Sequence, residues 1–420
     1  MRQFVLQSFK SRHAAATSSL PLILFVLSIT MGAIATHPKL IIVPGTFSSL
    51  GGTVTALSNF IKGLFQCGLE QEFCVLVPAE SLLERYLLHQ HQSFCLHSIA
   101  AQDSSDFLTQ ALQWVKQQPI TWPLWLEGTA KKSLLLPLAR AIPSLRWSGR
   151  PVYHYFHDSA QSFNLLGVWS RKAVFTGLAP VGICNSRYTA QQLTRLAPNL
   201  QTVLYPPIDY QRFSNPPYKQ TPPPELQAIR EAGKRILFNP SRITQPGIMN
   251  DKNHSVLIPM MAYLKTHNYP YHLVLMGKDN QGDYVQQLKD KIQQADLQDW
   301  VTILPPCFDI ENYYRHVDVL VTLAPREPFG MIVAEAIAAS VPVVGSQTGG
   351  IGEILGAFAP EWSVDPADPV AAAEVILQVE KSGETEDAIA RGQLWVQTEC
   401  SLEHHARRIA EITGIGKKVV

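Results

Sequence analysis

The stretch REPFGMIVAEAIAASVPVVGSQTGGIGE, residues 326–353, holds two glutamates eight positions apart, Glu327 and Glu335. Phe329 and Gly330 follow the first glutamate, and the alanine-rich segment after them predicts a helix. A short buried strand and a loop with a glycine pair come next. A helix start, paired carboxylates, a strand and a glycine loop together predict one compact site for an anionic, hydroxyl-rich ligand.

Apolar runs recur along the whole chain and predict strands that alternate with helices. The runs of the second half are apolar throughout rather than alternating, as in parallel strands buried on both faces. The predicted strands are Lys39–Pro44, Phe73–Val77, Pro123–Leu126, Val152–Phe156, Val181–Asn185, Val203–Asp209, Ile236–Asn239, His272–Met276, Trp300–Leu304, Val317–Leu323 and Val341–Gly345. The fold class is therefore α/β, with two doubly wound Rossmann-like domains that face a cleft.

A proline-rich segment divides the two halves, because prolines interrupt both helices and central strands. It defines a stiff linker at residues 214–226. The other predicted parts are an N-terminal segment at 1–36, a first domain at 37–213, a second domain at 227–395 and a terminal helix at 396–420 that packs back on the first domain.

Composition indicates an ordinary globular protein. The 420 residues are 46% hydrophobic and 16% charged, which is ordinary globular composition with ample core. A net charge of +1 gives no nucleic-acid footprint. The six cysteines form no CxxC pair, so no zinc site is expected, and they are predicted to be buried free thiols in a reducing compartment.

The N-terminus conflicts with a reducing compartment. Arg2, Lys10 and Arg12 precede an apolar run, Leu20–Ala35, that fits a signal peptide. The same run also fits a short signal anchor or a start codon placed too early, and all three interpretations stay open. We expect a catalytic body in the cytoplasm, with any membrane association made through residues 20–35.

Glycines and a histidine follow strands of the predicted first domain. Gly51 and Gly52 precede a predicted helix, where free N–H groups and a bare backbone suit a phosphate. His157 follows the strand Val152–Phe156, and ligands bind beyond the carboxyl ends of such strands. His154 lies inside the strand and is expected to pack. Ser186 is interpreted as the N-cap of the helix that follows it.

Two cations and two glycines are the candidate ligand-binding residues of the second domain. Arg242 and Lys252 follow a predicted strand and would neutralise a diphosphate, unless they are simply solvated loop cations. Gly349 and Gly350 would bring backbone close to phosphates from the opposite side, unless they only form a tight turn.

The segment from Glu327 to Glu335 is the most specific motif. Pro328 suits a first helical turn, so the amides of Phe329, Gly330 and Met331 are predicted to point out of the helix start. Eight residues of helix would separate the two carboxylates by roughly 12 Å. Glu335 would accept hydrogen bonds from a ribose diol and Glu327 from a sugar.

These residues resemble the retaining, nucleotide-sugar-dependent glycosyltransferases of family 4, which have the GT-B fold. EPFGMIVAE, residues 327–335, matches the Glu-x7-Glu signature of that family, and the following VPVVGSQTGGIGEI also fits. The resemblance covers roughly residues 38–410. It implies that Arg242 and Lys252 hold the donor diphosphate, and that Glu327 with the amides of residues 329–331 holds the donor sugar.

The same resemblance implies the remaining roles. Glu335 would bind the ribose, Gly51 and Gly52 would lie under the diphosphate, and His157 would lie near the transferred sugar. No metal and no cofactor are expected beyond the nucleotide-sugar co-substrate, and the acceptor would be a glycan, a lipid-linked saccharide or a polysaccharide precursor. Lys252 departs from the pattern of the family. It lies ten positions after Arg242, with an apparent insert, QPGIMND, between them.

Two other functions remain open at the level of sequence. A sugar-nucleotide epimerase would share the nucleotide pocket, and a non-catalytic sugar-binding protein would share the fold. The donor base, the donor sugar and the acceptor are not specified by the motifs.

Overall fold

The computed structural model describes residues 39–45, 51–158, 165–197, 199–215, 221–246, 252–279 and 282–416. From residue 38 onward the chain is one compact unit. The predictions for the apolar run Leu20–Ala35 and for most of the insert after Gln245 lie outside the described residues.

A seven-stranded parallel sheet forms the first domain, in the order β3-β2-β1-β4-β5-β6-β7. Its strands are β1 Leu40–Pro44, β2 Phe73–Pro78, β3 Leu96–Ile99, β4 Leu124–Glu127, β5 Val152–Phe156, β6 Val181–Cys184 and β7 Leu200–Val203. Its helices are α1 Gly52–Gln66, α2 Leu82–His89, α3 Ser104–Gln117, α4 Leu135–Ser148, α5 Leu165–Leu178, α6 Arg187–Leu193 and α7 Tyr210–Ser214.

A six-stranded parallel sheet forms the second domain, in the order β10-β9-β8-β11-β12-β13. Its strands are β8 Arg235–Asn239, β9 Tyr271–Met276, β10 Val301–Leu304, β11 Val319–Thr322, β12 Val343–Ser346 and β13 Ser363–Val364. Its helices are α8 Pro224–Glu231, α9 His254–Thr266, α10 Tyr284–Gln294, α11 Glu311–Tyr314, α12 Met331–Ala338, α13 Gly349–Phe358, α14 Pro369–Lys381 and α15 Thr385–Glu399, followed by α16 Leu402–Thr413.

Helices cover both faces of the first sheet, which confirms the doubly wound α/β prediction. Helices α3, α4 and α5 share one core with the sheet, while α1, α2 and α16 share the core on the other face. The last helix therefore returns to the first domain, where Gly63 of α1 lets it pass closely, since a Cβ there would meet the backbone of Leu402.

Strand order reverses once in each sheet, between β1 and β4 and again between β8 and β11. At such a switch point the connections leave in opposite directions and open a crevice beyond the carboxyl ends of the strands. Gly45 follows β1 at the first switch point, and Arg242 follows β8 at the second. The topology therefore places one candidate ligand site at each switch point.

Several local predictions differ from the structure. The edge strand β3 was not predicted, and the strand predicted at Val203–Asp209 lies too late, since β7 spans Leu200–Val203. Both edge strands are only partly buried and lack a continuous apolar run. The prolines of the linker do not exclude a helix, since Pro224 occupies the first turn of α8, where its missing N–H is not needed. The six cysteines are free as predicted, but only Cys95, Cys184 and Cys400 are buried; Cys67 and Cys74 are half-buried and Cys307 is exposed.

Candidate active site

A cleft of about 290 Å³ lies between residues of the two domains. The first domain contributes the start of α1 and the side of α2, and the second contributes the segments after β8 and β9 together with α12. Residues from the sequence-based prediction that line it are Gly51, Gly52, Arg242, Met331 and Glu335.

The first wall of the cleft is the N-terminus of α1. Gly51 is its N-cap, and Gly52 is so close to Met331 across the cleft that an added Cβ would lie 3.2 Å from the Met331 sulfur. Because the first amides of a helix lack intrahelical partners, this wall presents N–H groups to an anion.

Arg242 lies in the opposite wall of the cleft, next to a segment that buried hydrogen bonds hold in place. The Ser241 hydroxyl lies 2.6 Å from Asn239 Oδ1 and 3.0 Å from His254 Nε2, and the Asn239 amide donates to the carbonyl of Val321 at 2.7 Å. Burial, followed by the charge of Lys252, lowers the pKa of His254 to about 4, so its ring is neutral at physiological pH. This buried network fixes the backbone from which Arg242 extends.

Glu335 is the carboxylate at the inner end of the cleft. It is buried on α12 and accepts a hydrogen bond from the Tyr314 hydroxyl at 3.0 Å. Burial raises the pKa of Glu335, while the Tyr314 hydrogen bond and the charge of Arg212 oppose the shift. Two hydrogen bonds hold Arg212 itself, at 2.7 Å to the carbonyl of Phe308 and 2.8 Å to Glu311.

Lys252 and Glu327 form an ion pair with each other. Both side chains are largely shielded from solvent. The structure therefore brings together two of the predicted ligand-binding residues, and their opposite charges neutralise each other. Any ligand that uses either charge must compete with this pair.

Gly349 and Gly350 approach protein backbone rather than open space. They begin helix α13, instead of lying in the predicted loop. A Cβ on Gly349 would lie 2.8 Å from the carbonyl oxygen of Glu327, and one on Gly350 would lie 2.5 Å from that of Phe329. The Gly350 amide also donates to the Glu327 carbonyl at 2.7 Å. The glycine pair thus clamps the segment that carries Glu327.

The helix after Glu327 begins later than predicted. Gly330 precedes α12 in a left-handed conformation, with φ of +103°, and Met331 is its first residue. Pro328 is thus outside the first helical turn, because the chain must turn at Gly330 before the helix can start. Between Glu327 and Glu335 only the part from Met331 onward is helical, so the prediction of a continuous helix between the two carboxylates is wrong. Phe329 is buried against Tyr205.

His157 faces Glu127, a carboxylate that was not among the predicted site residues. Its Nε2 lies 3.5 Å from Glu127 Oε2, at the ends of neighbouring strands β5 and β4. Both atoms are buried without a hydrogen-bond partner within the described residues, and the other oxygen of Glu127 accepts from Trp125 Nε1 at 3.0 Å. His154, as predicted, packs inside the sheet and lies 2.9 Å from the Thr129 hydroxyl.

Four residues of the site escaped the sequence analysis: Glu127, Lys131, Arg212 and Tyr314. Glu127 carried the same signal as His157, since it ends a buried strand. Lys131 donates to the Gly45 carbonyl at 3.0 Å and is near enough to Arg242 that the two charges interact. Tyr314 and Arg212 carried no local signal, because only the tertiary fold brings them to Glu335.

Among the described residues, no group of three histidine, cysteine, aspartate or glutamate side chains could hold a metal ion. No described helix is both long enough and apolar enough to cross a bilayer.

Known proteins share the second domain in sequence and the whole fold in structure. Residues 236–393 match the family model "Glycosyl transferases group 1". The matched region contains Arg242, Lys252, both motif glutamates and the glycine pair. The group 1 match thus covers the donor half of the predicted site.

A curated relative with this likeness is the amylovoran biosynthesis glycosyltransferase AmsK of Erwinia amylovora. It is 28% identical over 187 residues, which are 42% of this chain and 45% of that protein. This chain spans less than half the length of the curated relatives it matches.

Solved structures are similar over nearly their full length. HepE of Anabaena, crystallised with UDP-glucose, is 18% identical with a TM-score of 0.71, over 89% of this chain and 99% of HepE. Sucrose-phosphate synthase of Thermosynechococcus elongatus is 18% identical with a TM-score of 0.67, over 89% of this chain and 98% of the synthase. At this identity the likeness shows the fold alone, and that fold is GT-B.

Proposed function

We propose that this protein is a retaining glycosyltransferase that moves a hexosyl unit from a nucleotide-diphosphate sugar to a hydroxyl acceptor. The acceptor class we propose is a glycan, a lipid-linked saccharide or a polysaccharide precursor. One observation carries the proposal. Arg242, buried Glu335 and the glycine start of α1 line a single cleft between the two domains.

Each wall of the cleft fits one part of such a donor. Glu335 suits a ribose diol, since a carboxylate accepts two hydrogen bonds. Arg242 and the amides at Gly51 and Gly52 suit the diphosphate between them. In this arrangement the sugar would lie towards Glu327, on the segment that the glycine pair clamps.

The Lys252–Glu327 pair supplies the charges that the reaction needs. On donor binding, the ion pair between Lys252 and Glu327 would break. Lys252 would then contact the diphosphate, and Glu327 would contact the sugar hydroxyls. Arg242 and Lys252 then stabilise the negative charge that develops on the leaving nucleotide. The proposal therefore requires no metal ion for charge neutralisation. Front-face attack, helped by the leaving phosphate, accounts for retention.

The stereochemical part of the proposal has a direct test. With a defined acceptor, the product is expected to keep the anomeric configuration of the donor. Nuclear magnetic resonance of the first-formed product reads this configuration, and net inversion would exclude the retaining mechanism.

The donor is tested first with UDP-glucose, because HepE was crystallised with that compound. GDP- and ADP-sugars form the comparison series. A ligand that binds only the folded state raises the unfolding temperature, so thermal shift ranks the donors. Absence of a shift with every nucleotide sugar would contradict the donor site.

Two substitutions test the site itself. Arg242→Ala and Glu327→Ala are expected to lower transfer by at least about a hundredfold, since each removes a charged contact to the donor. Lys289→Ala, on the exposed side of α10, is the matched control. Wild-type turnover in either site variant would remove that residue from the reaction.

A further inference from the structure

The outer surface of α4 and α5 is unlike the rest of the described surface. Both helices pack on the same side of the first sheet, so their exposed stripes face outward together. The stripes follow helical spacing. We call the following residues the α4–α5 face: Leu136, Arg140, Pro143, Arg146 and Trp147 on α4, and Leu165, Leu166, Val168, Trp169 and Lys172 on α5.

Large apolar side chains are concentrated on this face. Of fourteen that are exposed among the described residues, six lie here. Trp147 is 86% exposed, Leu166 82%, Leu165 77% and Trp169 65%. Six exposed large apolar side chains on two neighbouring helices mark an interaction site rather than ordinary surface scatter.

The same face is basic. Three exposed cations, Arg140, Arg146 and Lys172, lie on it. Neither helix contains an acidic residue, and the Lys172 ammonium lies 5.8 Å from the centre of the Trp169 ring. Tryptophan beside a long cation suits the headgroup layer of a bilayer.

A groove borders the face on its other side. It measures about 310 Å³, lies between α3 and α4, and has cations Lys116 and Arg140 at its rim. Leu112, Pro137 and Ala141 contribute apolar surface to it. The groove thus offers positive charge beside a partly apolar wall, which fits an anionic headgroup and the start of its acyl chain.

We propose that the α4–α5 face docks on a bilayer surface that contains anionic lipid. The apolar side chains enter the headgroup layer, and Arg140, Arg146 and Lys172 remain at its surface against the lipid phosphates. A protein partner would satisfy the apolar area as well, but the charge balance favours the negative surface of a membrane.

Docking would orient the cleft. Helices α4 and α5 follow strands β4 and β5, so their first turns, with Leu136, Leu165 and Leu166, lie at the carboxyl edge of the sheet, where the cleft opens. If the proposed sugar transfer holds, a lipid-linked acceptor in that bilayer would be presented near the donor. Docking itself does not depend on the transfer, because vesicle binding is measured without donor or acceptor.

The test is co-sedimentation of the full chain with vesicles. One set contains equal parts of phosphatidylglycerol and phosphatidylcholine, and the other contains phosphatidylcholine alone. The apolar variant is L165S/L166S/W169S and the charge variant is R140E/K172E. Residues 1–38 are present in every protein, so their contribution cancels. Leu394→Ser, 67% exposed on α15, is the matched apolar control.

Wild-type protein and Leu394→Ser are expected to bind the anionic vesicles equally. The apolar variant should bind at least tenfold more weakly, and the charge variant should lose on the order of fivefold per cation, with the loss reduced in high salt. Unchanged thermal unfolding confirms that the variants are folded. Equal binding of wild type and both variants would overturn the proposal, as would absence of binding or equal binding to neutral vesicles. A wild-type dimer that both variants lose in light scattering would assign the face to a second copy instead.

Discussion

At the scale of single residues, Glu335 is a buried carboxylate whose ionisation affects both stability and donor binding. Its folded-state pKa lies above that of an unfolded glutamate, because burial disfavours the charged form. The folded protein therefore holds the proton more tightly than the unfolded chain. It follows that the free energy of unfolding falls as the pH rises from the ordinary glutamate pKa through the raised one.

Glu335→Gln tests this linkage. The amide keeps an oxygen for the Tyr314 hydroxyl but cannot ionise, so the variant should gain stability relative to wild type at neutral pH. The difference should shrink below about pH 4, where both forms are uncharged. Denaturant unfolding at a series of pH values measures it. Donor affinity should fall about tenfold to a hundredfold, because hydrogen bonds to a charged group are lost.

Glu127 is placed to position His157. The two side chains approach at 3.5 Å in a buried setting, and the remaining carboxylate oxygen is held by Trp125. Glu127→Gln keeps the shape and the Trp125 contact but removes the charge. We expect kcat to fall by about tenfold to a hundredfold while the donor KM changes little, because His157 would lose the carboxylate that orients it beside the transferred sugar.

A parallel fall in kcat for His157→Gln, with no additional loss in the double variant, would show that the two residues act as a unit. A change confined to KM would instead indicate that Glu127 acts on donor binding. Exposed Glu374→Ala is the control for loss of a carboxylate elsewhere.

At the scale of elements, the start of α13 determines where Glu327 lies. Gly350→Ala would force a Cβ into the backbone of Phe329 and push the Glu327 segment away. Overpacking of this kind costs typically 1–3 kcal/mol, and donor affinity should fall as well because Glu327 and its partner Lys252 are displaced.

The control lies in the same helix. A Cβ on exposed Gly356 meets nothing within 4 Å, so Gly356→Ala should stabilise α13 by about 0.5–1 kcal/mol. Chemical denaturation and donor titration of both variants decide the matter. If Gly350→Ala behaves like Gly356→Ala, the clamp does not hold Glu327.

The same elements show what sequence can predict. Buried parallel strands such as β5, β8 and β9 carry long apolar runs, so their position was predicted within a residue or two. The helix after Gly330 was placed too early, because a proline that favours a helical turn precedes a glycine that breaks it. Glu335 was predicted as a binding residue from its motif, whereas Tyr314 was not, since a tertiary hydrogen bond between residues 21 positions apart leaves no local pattern.

The glycine pair illustrates a second limit. Sequence correctly indicated a close backbone approach at Gly349 and Gly350, but the predicted partner was a phosphate, whereas the structure has backbone of residues 327–329 there. A glycine in the sequence indicates that another group lies close to the backbone. Which group it is depends on the three-dimensional fold.

At the scale of the whole molecule, one carboxylate of the second domain caps a helix of the first. Glu353 accepts hydrogen bonds from the amides of Arg187 and Tyr188, both at 2.9 Å, and from the Tyr205 hydroxyl at 2.8 Å. Beside it, Ser186 donates to the carbonyl of Pro328 at 2.5 Å. The N-terminus of α6 is therefore neutralised by the opposite domain, and the confirmed Ser186 N-cap lies at the domain contact.

Glu353→Ala should separate the two domains thermodynamically. It leaves two helix amides and a tyrosine hydroxyl without their acceptor, a loss of about 2–4 kcal/mol when hydrogen bonds to a charged group are removed. That loss weakens the contact between the domains rather than either core. Wild-type protein should therefore unfold in one calorimetric transition, and the variant in two, the first of them at a lower temperature than the wild-type transition. Glu374→Ala again serves as the control. A single transition shifted as a whole would mean that the cores, rather than this contact, couple the domains, and unchanged unfolding would show that Glu353 contributes no coupling at all.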